Sequence, residues 1–175
     1  MMRLVRLFRC RRGNAAVEMA LVTPLLLILG LGAAELGNFF MDEHTLIKAV
    51  RDGARFAARQ SFTYYTACSG SPDSTNVIAP TQNIVMYGYL SGSNVLTPNI
   101  STSDITVSTS CALTAGGQTM SGIYSGRKIG GSASGAQIVT VSATVPYRSV
   151  IDYLLGFSGS GKSLNATSQA VVTGI

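Results

Sequence analysis

The chain has no tryptophan, a single histidine (His44) and three cysteines in 175 residues. It is also poor in charge: 12% of its residues are Asp, Glu, Lys or Arg, about half the fraction usual for a soluble domain. With one histidine, a Ser-His-Asp or Cys-His set has only His44 to use. A metal centre needs several ligands together, and no cluster of that kind stands out. No enzyme is visible in these residues, and no cofactor is called for. What the chain has in plenty is apolar and small residues, 46% hydrophobic with 19 glycines, at a mean hydropathy of +0.32. Such a composition fits neither a disordered chain nor an ordinary cytosolic enzyme. The length allows one modest domain and an anchor.

Thirteen basic residues against eight acidic ones give a formal net charge of +5, which by itself suggests a nucleic-acid binder. Five of the cations, Arg3, Arg6, Arg9, Arg11 and Arg12, precede Gly13, and all eight acids come after it, so the chain from residue 14 onward is neutral. A surface that reads nucleic acid spreads its cations over a fold and interleaves stacking aromatics. Here the excess forms one terminal run, and nucleic acid drops out as a partner. The run stands before an apolar span. Met19 to Ala34 holds no charge, and counted from Ala15 the span is twenty residues interrupted only by Glu18, or about 30 Å of helix, the thickness of the hydrocarbon layer. Arginines before it and Asp42 and Glu43 after it place the N-terminus in the cytoplasm and the remainder outside. Two processing schemes compete. In an ordinary signal peptide, Gly32-Ala33-Ala34 would precede the cut, although a Glu inside the apolar run is unusual there. In the other, the cut falls at Gly13 and the apolar helix stays on the mature protein.

Arg12-Gly13-Asn14-Ala15-Ala16-Val17-Glu18-Met19-Ala20-Leu21-Val22-Thr23-Pro24-Leu25-Leu26-Leu27, then Glu35-Leu36-Gly37, then Ala49-Val50-Arg51-Asp52-Gly53-Ala54-Arg55-Phe56-Ala57-Ala58 resembles the N-terminal region of TadE-like proteins. These are minor pilins or pseudopilins of the bacterial tight-adherence (Tad, Flp) pilus. The resemblance is dense over residues 13 to 60 and weaker at Thr81 to Gly88 and Ile138 to Val145, and Met19 stands where the family has an aromatic residue. It implies that a prepilin peptidase cuts after Gly13, makes Asn14 the new N-terminus and leaves Glu18 at mature position five. Glycine suits the cut because a backbone without a side chain enters a narrow active site in extended form. A carboxylate in the bilayer costs about 2.5–3.5 kcal/mol. The resemblance gives it a partner, the α-amino group of a neighbouring subunit, and so a role in setting axial register between subunits. The plain alternative is a Glu in the headgroup layer at a helix start, favoured by the helix dipole.

Pro24 removes a backbone hydrogen bond inside the span. Gly30, Ala34 and Gly37, with Gly32 and Ala33, form a small-residue patch for close helix packing. Beyond the membrane, apolar or small residues at 46, 47, 50, 54, 57 and 58 recur as on an amphipathic helix. One helix from Asn14 to Gln60 spans roughly 70 Å, the long stalk of a pilin-like lollipop; two helices hinged near Gly37 are the alternative. After Gln60 the composition turns to Ser, Thr, Gly and Asn. A turn-rich stretch from Cys68 to Asn76, a short helix from Pro80 through Tyr89 and strands at Ile105–Val107, Ile138–Pro146 and Leu164–Val172 predict a small antiparallel sheet on the exposed half of the helix. Gly116-Gly117 and Gly126 to Gly135 read as loops or hairpin ends. Cys10 lies in the leader, whereas Cys68 and Cys111 lie in the exported part, where they are expected to pair. The loop so closed is worth about 4 kcal/mol in the chain-entropy model.

Gly156-Phe157-Ser158-Gly159-Ser160-Gly161-Lys162-Ser163 fits the P-loop pattern. The residues after it are partly β-branched, too few for a nucleotide fold and without a magnesium carboxylate, so the segment reads as a loop between strands, with no nucleotide bound. Asn99 and Asn165 begin glycosylation sequons that a bacterial chain usually leaves bare. The sequence therefore predicts an α+β chain in three parts: a basic leader 1–13, a hydrophobic then amphipathic helix 14–60, and a head 61–175. The expected function is that of a minor pilin or pseudopilin in Tad (type IVb, Flp) pilus initiation or assembly for adherence. The chain sits single-pass in the bacterial inner membrane with a periplasmic head, or enters the pilus at the cell surface. Its expected partners are prepilin peptidase, other minor pilins, the major pilin, the inner-membrane assembly platform and the lipid bilayer. The competing reading is a secreted or membrane-anchored periplasmic binding protein with an ordinary signal peptide.

Overall fold

The computed structural model describes residues 14–115, 117–119, 121–124, 128–129, 132–133, 135–149, 151 and 161–174. The leader, with Cys10 and Gly13, and residues 156–160 of the segment that fits the P-loop pattern lie outside them. The described residues form an α+β structure. Helix α1 (Asn14–Ala58, 45 residues) comes first, and α2 (Ala79–Tyr87) comes second. The strands are β1 (Ser69–Gly70), β2 (Ile105–Ala112), β3 (Thr114–Ala115), β4 (Gln118–Thr119), β5 (Lys128–Ile129), β6 (Ser132–Ala133), β7 (Ala136–Pro146) and β8 (Ser163–Val171). Gly37, where the sequence left room for a hinge, falls inside α1, as does Pro24. The chain divides between Asn38 and Phe39 into two compact units.

In the second unit an antiparallel sheet runs in the order β1-β2-β7-β8. Its central strand, β7, pairs along its length with β2 (Ala112↔Ala136 to Ile105↔Ala143) and with β8 (Ile138↔Val171 to Pro146↔Ser163), without a bulge. The alternation Val139, Val141, Ala143, Val145 faces inward and is fully buried or nearly so, flanked by Ile105 and Val107 on β2 and Leu164 and Ala166 on β8. Strand-forming β-branched residues on one face and Ser or Thr on the other are what a half-covered sheet requires. The cover comes from the last part of α1, where Leu46, Ala49, Val50, Ala54, Ala57 and Ala58 join the same hydrophobic cluster. Burying each Val or Leu contributes about 1.5–3 kcal/mol, so this two-layer contact is what holds the unit together. β3–β4 and β5–β6 are separate two-residue hairpins, in the glycine-rich stretches that the sequence assigned to loops or hairpin ends.

A five-residue π turn (Ser74–Ile78) leads into α2. Asp73 caps it, its Oδ1 accepting from the Thr75 and Asn76 amides at 3.0 and 2.7 Å. α2 begins with Pro80 in its first turn and ends at Gly88, which is left-handed at φ +83°, the usual stop for a helix. Cys68 and Cys111 are disulfide-bonded with Cα atoms 5.0 Å apart. They continue the β1–β2 ladder one step beyond Ser69↔Ser110, so a two-residue strand is tied covalently to the sheet.

Candidate functional site

The first part of α1, residues 14–38, has apolar side chains on every face. Val17, Met19, Leu21, Leu25, Leu26, Leu27, Ile28 and Leu29 are all more than half exposed, and no part of its most apolar window is buried. A helix apolar all round is at home only in a membrane or inside a bundle of other helices. By length and composition this one can cross a membrane. Glu18 is exposed, and its neighbours one turn away, Leu21 and Val22, are apolar. It makes no salt bridge among the described residues. Pro24 has no amide hydrogen to give the Ala20 carbonyl. Beside that gap the Thr23 hydroxyl donates to the Met19 carbonyl at 2.6 Å, a back-bond that shields helix carbonyls where water is absent.

Gly30, Ala34 and Gly37 fall at i, i+4 and i+7 and share one face, and a Cβ placed at either glycine would meet nothing within 4 Å. At about 100° per residue, Glu18, Pro24 and this small-residue face point roughly a third of a turn apart. The predicted site residues of the span are therefore three separate features and do not converge.

Within the second unit, the remainder of α1 is of another kind. Leu46, Ala49, Val50, Gly53, Ala54, Ala57 and Ala58 are buried, while Lys48, Arg51, Asp52, Arg55 and Arg59 are exposed. Asp52 and Arg55 pair at 3.7 Å, a contact of little energetic weight so far out in solvent. The periodicity predicted from the sequence is present and is extended by two residues that it had missed, Ala49 and Gly53. Gly53 is there for close approach: a Cβ at this position would lie 2.6 Å from Val85 Cγ2 of α2. Its recurrence in the i, i+3, i+4 series was the available signal.

The end of α1 is closed by residues that sequence reasoning also missed. The Ala57 carbonyl accepts from the Tyr65 hydroxyl and from the Gln60 amide at 3.0 Å. The Ala58 carbonyl accepts from the Thr173 amide at 2.8 Å and the Thr173 hydroxyl at 3.3 Å. Gln137, fully buried, donates through Nε2 to the Tyr65 carbonyl at 2.8 Å. Orphan carbonyls at a buried helix end need such partners. Burial pushes the Tyr65 phenol above its ordinary value near 10. Phe39 and Tyr147 meet edge to face at 5.1 Å between centroids.

No group of three or more His, Cys, Asp or Glu able to hold a metal occurs among the described residues, and His44 is exposed. Gly161-Lys162-Ser163 leads into strand β8 and not into a helix, so the amide-lined helix N-terminus on which a P-loop depends is missing there.

These features define a class: a chain with one apolar, membrane-length helix and a small α+β unit built around the amphipathic continuation of that helix. A family model described as TadE-like protein matches residues 13–55, the segment on which the resemblance in the sequence rests. The match covers 43 of the 175 residues and does not reach the sheet. No curated protein and no solved structure matches the chain.

Proposed function

We propose that the chain is a minor pilin or pseudopilin of a Tad-type pilus, cut after Gly13 by prepilin peptidase and active in pilus initiation or assembly. The observation that carries this reading is the helix 14–38, apolar on all faces and exposed, inside the segment that matches the TadE-like model. A helix that only anchored a head would need lipid alone. One with a carboxylate, a proline and a small-residue face distributed around it offers separate contacts to lipid and to partner helices. In this reading the leader arginines hold the N-terminus in the cytoplasm, the head is periplasmic, and other pilins and the inner-membrane assembly platform pack against the helix. Glu18 pairs with the α-amino group of a neighbouring subunit and fixes axial register, and Gly30, Ala34 and Gly37 admit a second helix at close range.

N-terminal sequencing of the membrane-bound protein tests the processing step. Asn14 as first residue is the expected result; Glu35 would make the span a signal peptide, and an intact Met1 would exclude both cuts. Replacing Glu18 with Ala is expected to abolish or strongly reduce surface pili while the protein remains in the membrane. Undiminished piliation would overturn the registry role.

A further inference from the structure

Within the second unit, one end of the sheet is fixed to the first turn of its helix. Phe39, the first residue of the unit, meets Tyr147 edge to face at 5.1 Å between centroids, and Phe40 stands against Phe39 at 6.0 Å. Tyr147 follows β7 directly, and its amide donates to the carbonyl of Lys162, the residue ahead of β8, at 2.9 Å. Tyr147 thus links Phe39 to the Lys162 strand. Phe40 and Met41 on the helix and Arg148 and Lys162 on the strands are exposed, whereas Asp42 and Glu43, a turn farther along α1, are partly covered. The other end of the sheet, where Ser110 pairs with Ile138, lies about 30 Å from Tyr147 along β7.

Chain connectivity fixes the depth of the Phe39 end once the span is in a bilayer. With residues 15–34 in the hydrocarbon, Phe39 comes five residues later, about 7.5 Å along the helix. With Glu18 left in the inner headgroup layer and residues 19–38 in the hydrocarbon, Phe39 comes next in the chain, about 1.5 Å on. The headgroup layer is about 5–8 Å deep. Phe39 therefore lies in that layer or at its rim in both registers, and Tyr147 and its neighbours come with it. The residue types suit the place. Aromatic and other apolar side chains favour the border with the acyl chains, and long cationic side chains lay their stems on apolar surface while their charged heads reach the phosphates.

We propose that this end of the head rests on the headgroup layer of the leaflet from which α1 emerges, with Phe40 and Met41 at the acyl border and Arg148 and Lys162 on lipid phosphates. Covalent attachment selects the bilayer as the occupant, because the span holds lipid beside these residues at high effective concentration. The inference rests on the membrane-anchored part of the proposed function and not on the pilus role.

The absence of tryptophan makes single-Trp variants reporters of depth in the full-length protein, reconstituted into vesicles of phosphatidylcholine and phosphatidylglycerol. Leu27→Trp, in the span, is expected to be quenched by bromine placed deep on the acyl chains. Ser163→Trp, beside Lys162, is expected to be quenched by a nitroxide on the lipid headgroup about threefold or more as strongly as Ser110→Trp, which the length of β7 keeps out of range. Adding Arg148→Gln and Lys162→Gln to Ser163→Trp should lower that quenching by about twofold or more with an unchanged circular dichroism spectrum. The charge-keeping pair Arg148→Lys and Lys162→Arg should leave it at the level of Ser163→Trp alone. Quenching at Leu27→Trp with none at Ser163→Trp overturns the proposal and leaves the anchored span standing. Equal quenching at Ser163→Trp and Ser110→Trp overturns it too, as does a Gln pair quenched like Ser163→Trp alone. If Leu27→Trp itself escapes quenching, the span is not in the bilayer, and the anchor and the proposal fall together.

Discussion

Residues 14–38 and 39–58 belong to one helix and are solvated by opposite rules. The first stretch is apolar in every direction and buries none of it within the chain. The second confines its buried residues to one stripe, from Leu46 to Ala58, and leaves its cations in water. The total of apolar residues does not separate the two; their arrangement around the axis does. A full circle of apolar side chains demands a non-aqueous surrounding, and a stripe demands only a sheet.

The contrast predicts where substitutions will be felt, with urea unfolding of the head in detergent, followed by circular dichroism, as the measure. The largest effect belongs to the disulfide. Cys68→Ser with Cys111→Ser opens a loop with a sequence separation of 43 and should lower stability by about 4 kcal/mol; a loss under 1 kcal/mol would mean that the sheet holds β1 without it. Next comes Gly53→Ala. Overpacking against Val85 costs about 1–3 kcal/mol and the helix gains about 0.5–1, so a net loss of about 1–2 kcal/mol is expected. That loss should vanish when Val85→Ala is made as well, which separates crowding from any other effect of the methyl group.

Tyr65→Phe takes one of two donors from the Ala57 carbonyl and should cost about 1 kcal/mol. It should also change the alkaline limb of the stability curve. A phenol whose folded pKa is raised contributes fully below the unfolded value of about 10 and loses that contribution as pH rises beyond it, so the variant should lose less stability between pH 9 and 11 than the parent. Smallest of all is Leu26→Ala, 60% exposed in the first stretch. It should leave head unfolding within about 0.5 kcal/mol of the parent, and a larger shift would break the division at Asn38.

Much of this was legible in the sequence because it depends on local pattern. Residues 138–146 and 164–172 alternate, and the strands run over Ala136–Pro146 and Ser163–Val171. Pro80 and Gly88 bracket α2 as helix punctuation should. The helix predicted over Asn14 to Gln60 ends two residues sooner, at Ala58. What was not legible depends on closure in space. Ser69–Gly70 is too short to carry a period. Gly53 looks like an ordinary helix glycine until Val85 is set against it. Within the candidate site, the membrane-length span could be read from its run of apolar residues, whereas Tyr65, Gln137 and Thr173 gave no sign that they would meet the end of α1.

The bond from Thr173 to Ala58 joins residues 115 apart in the chain. At the pace of synthesis, about 5–20 residues per second, the helix end waits roughly 6–23 s before its last partner is made. Over that interval the stripe from Leu46 to Ala58 has no complete sheet to cover it. The head is thus a structure that the polypeptide can finish only late, and its most vulnerable moment is set by the clock of translation more than by the depth of its final energy minimum.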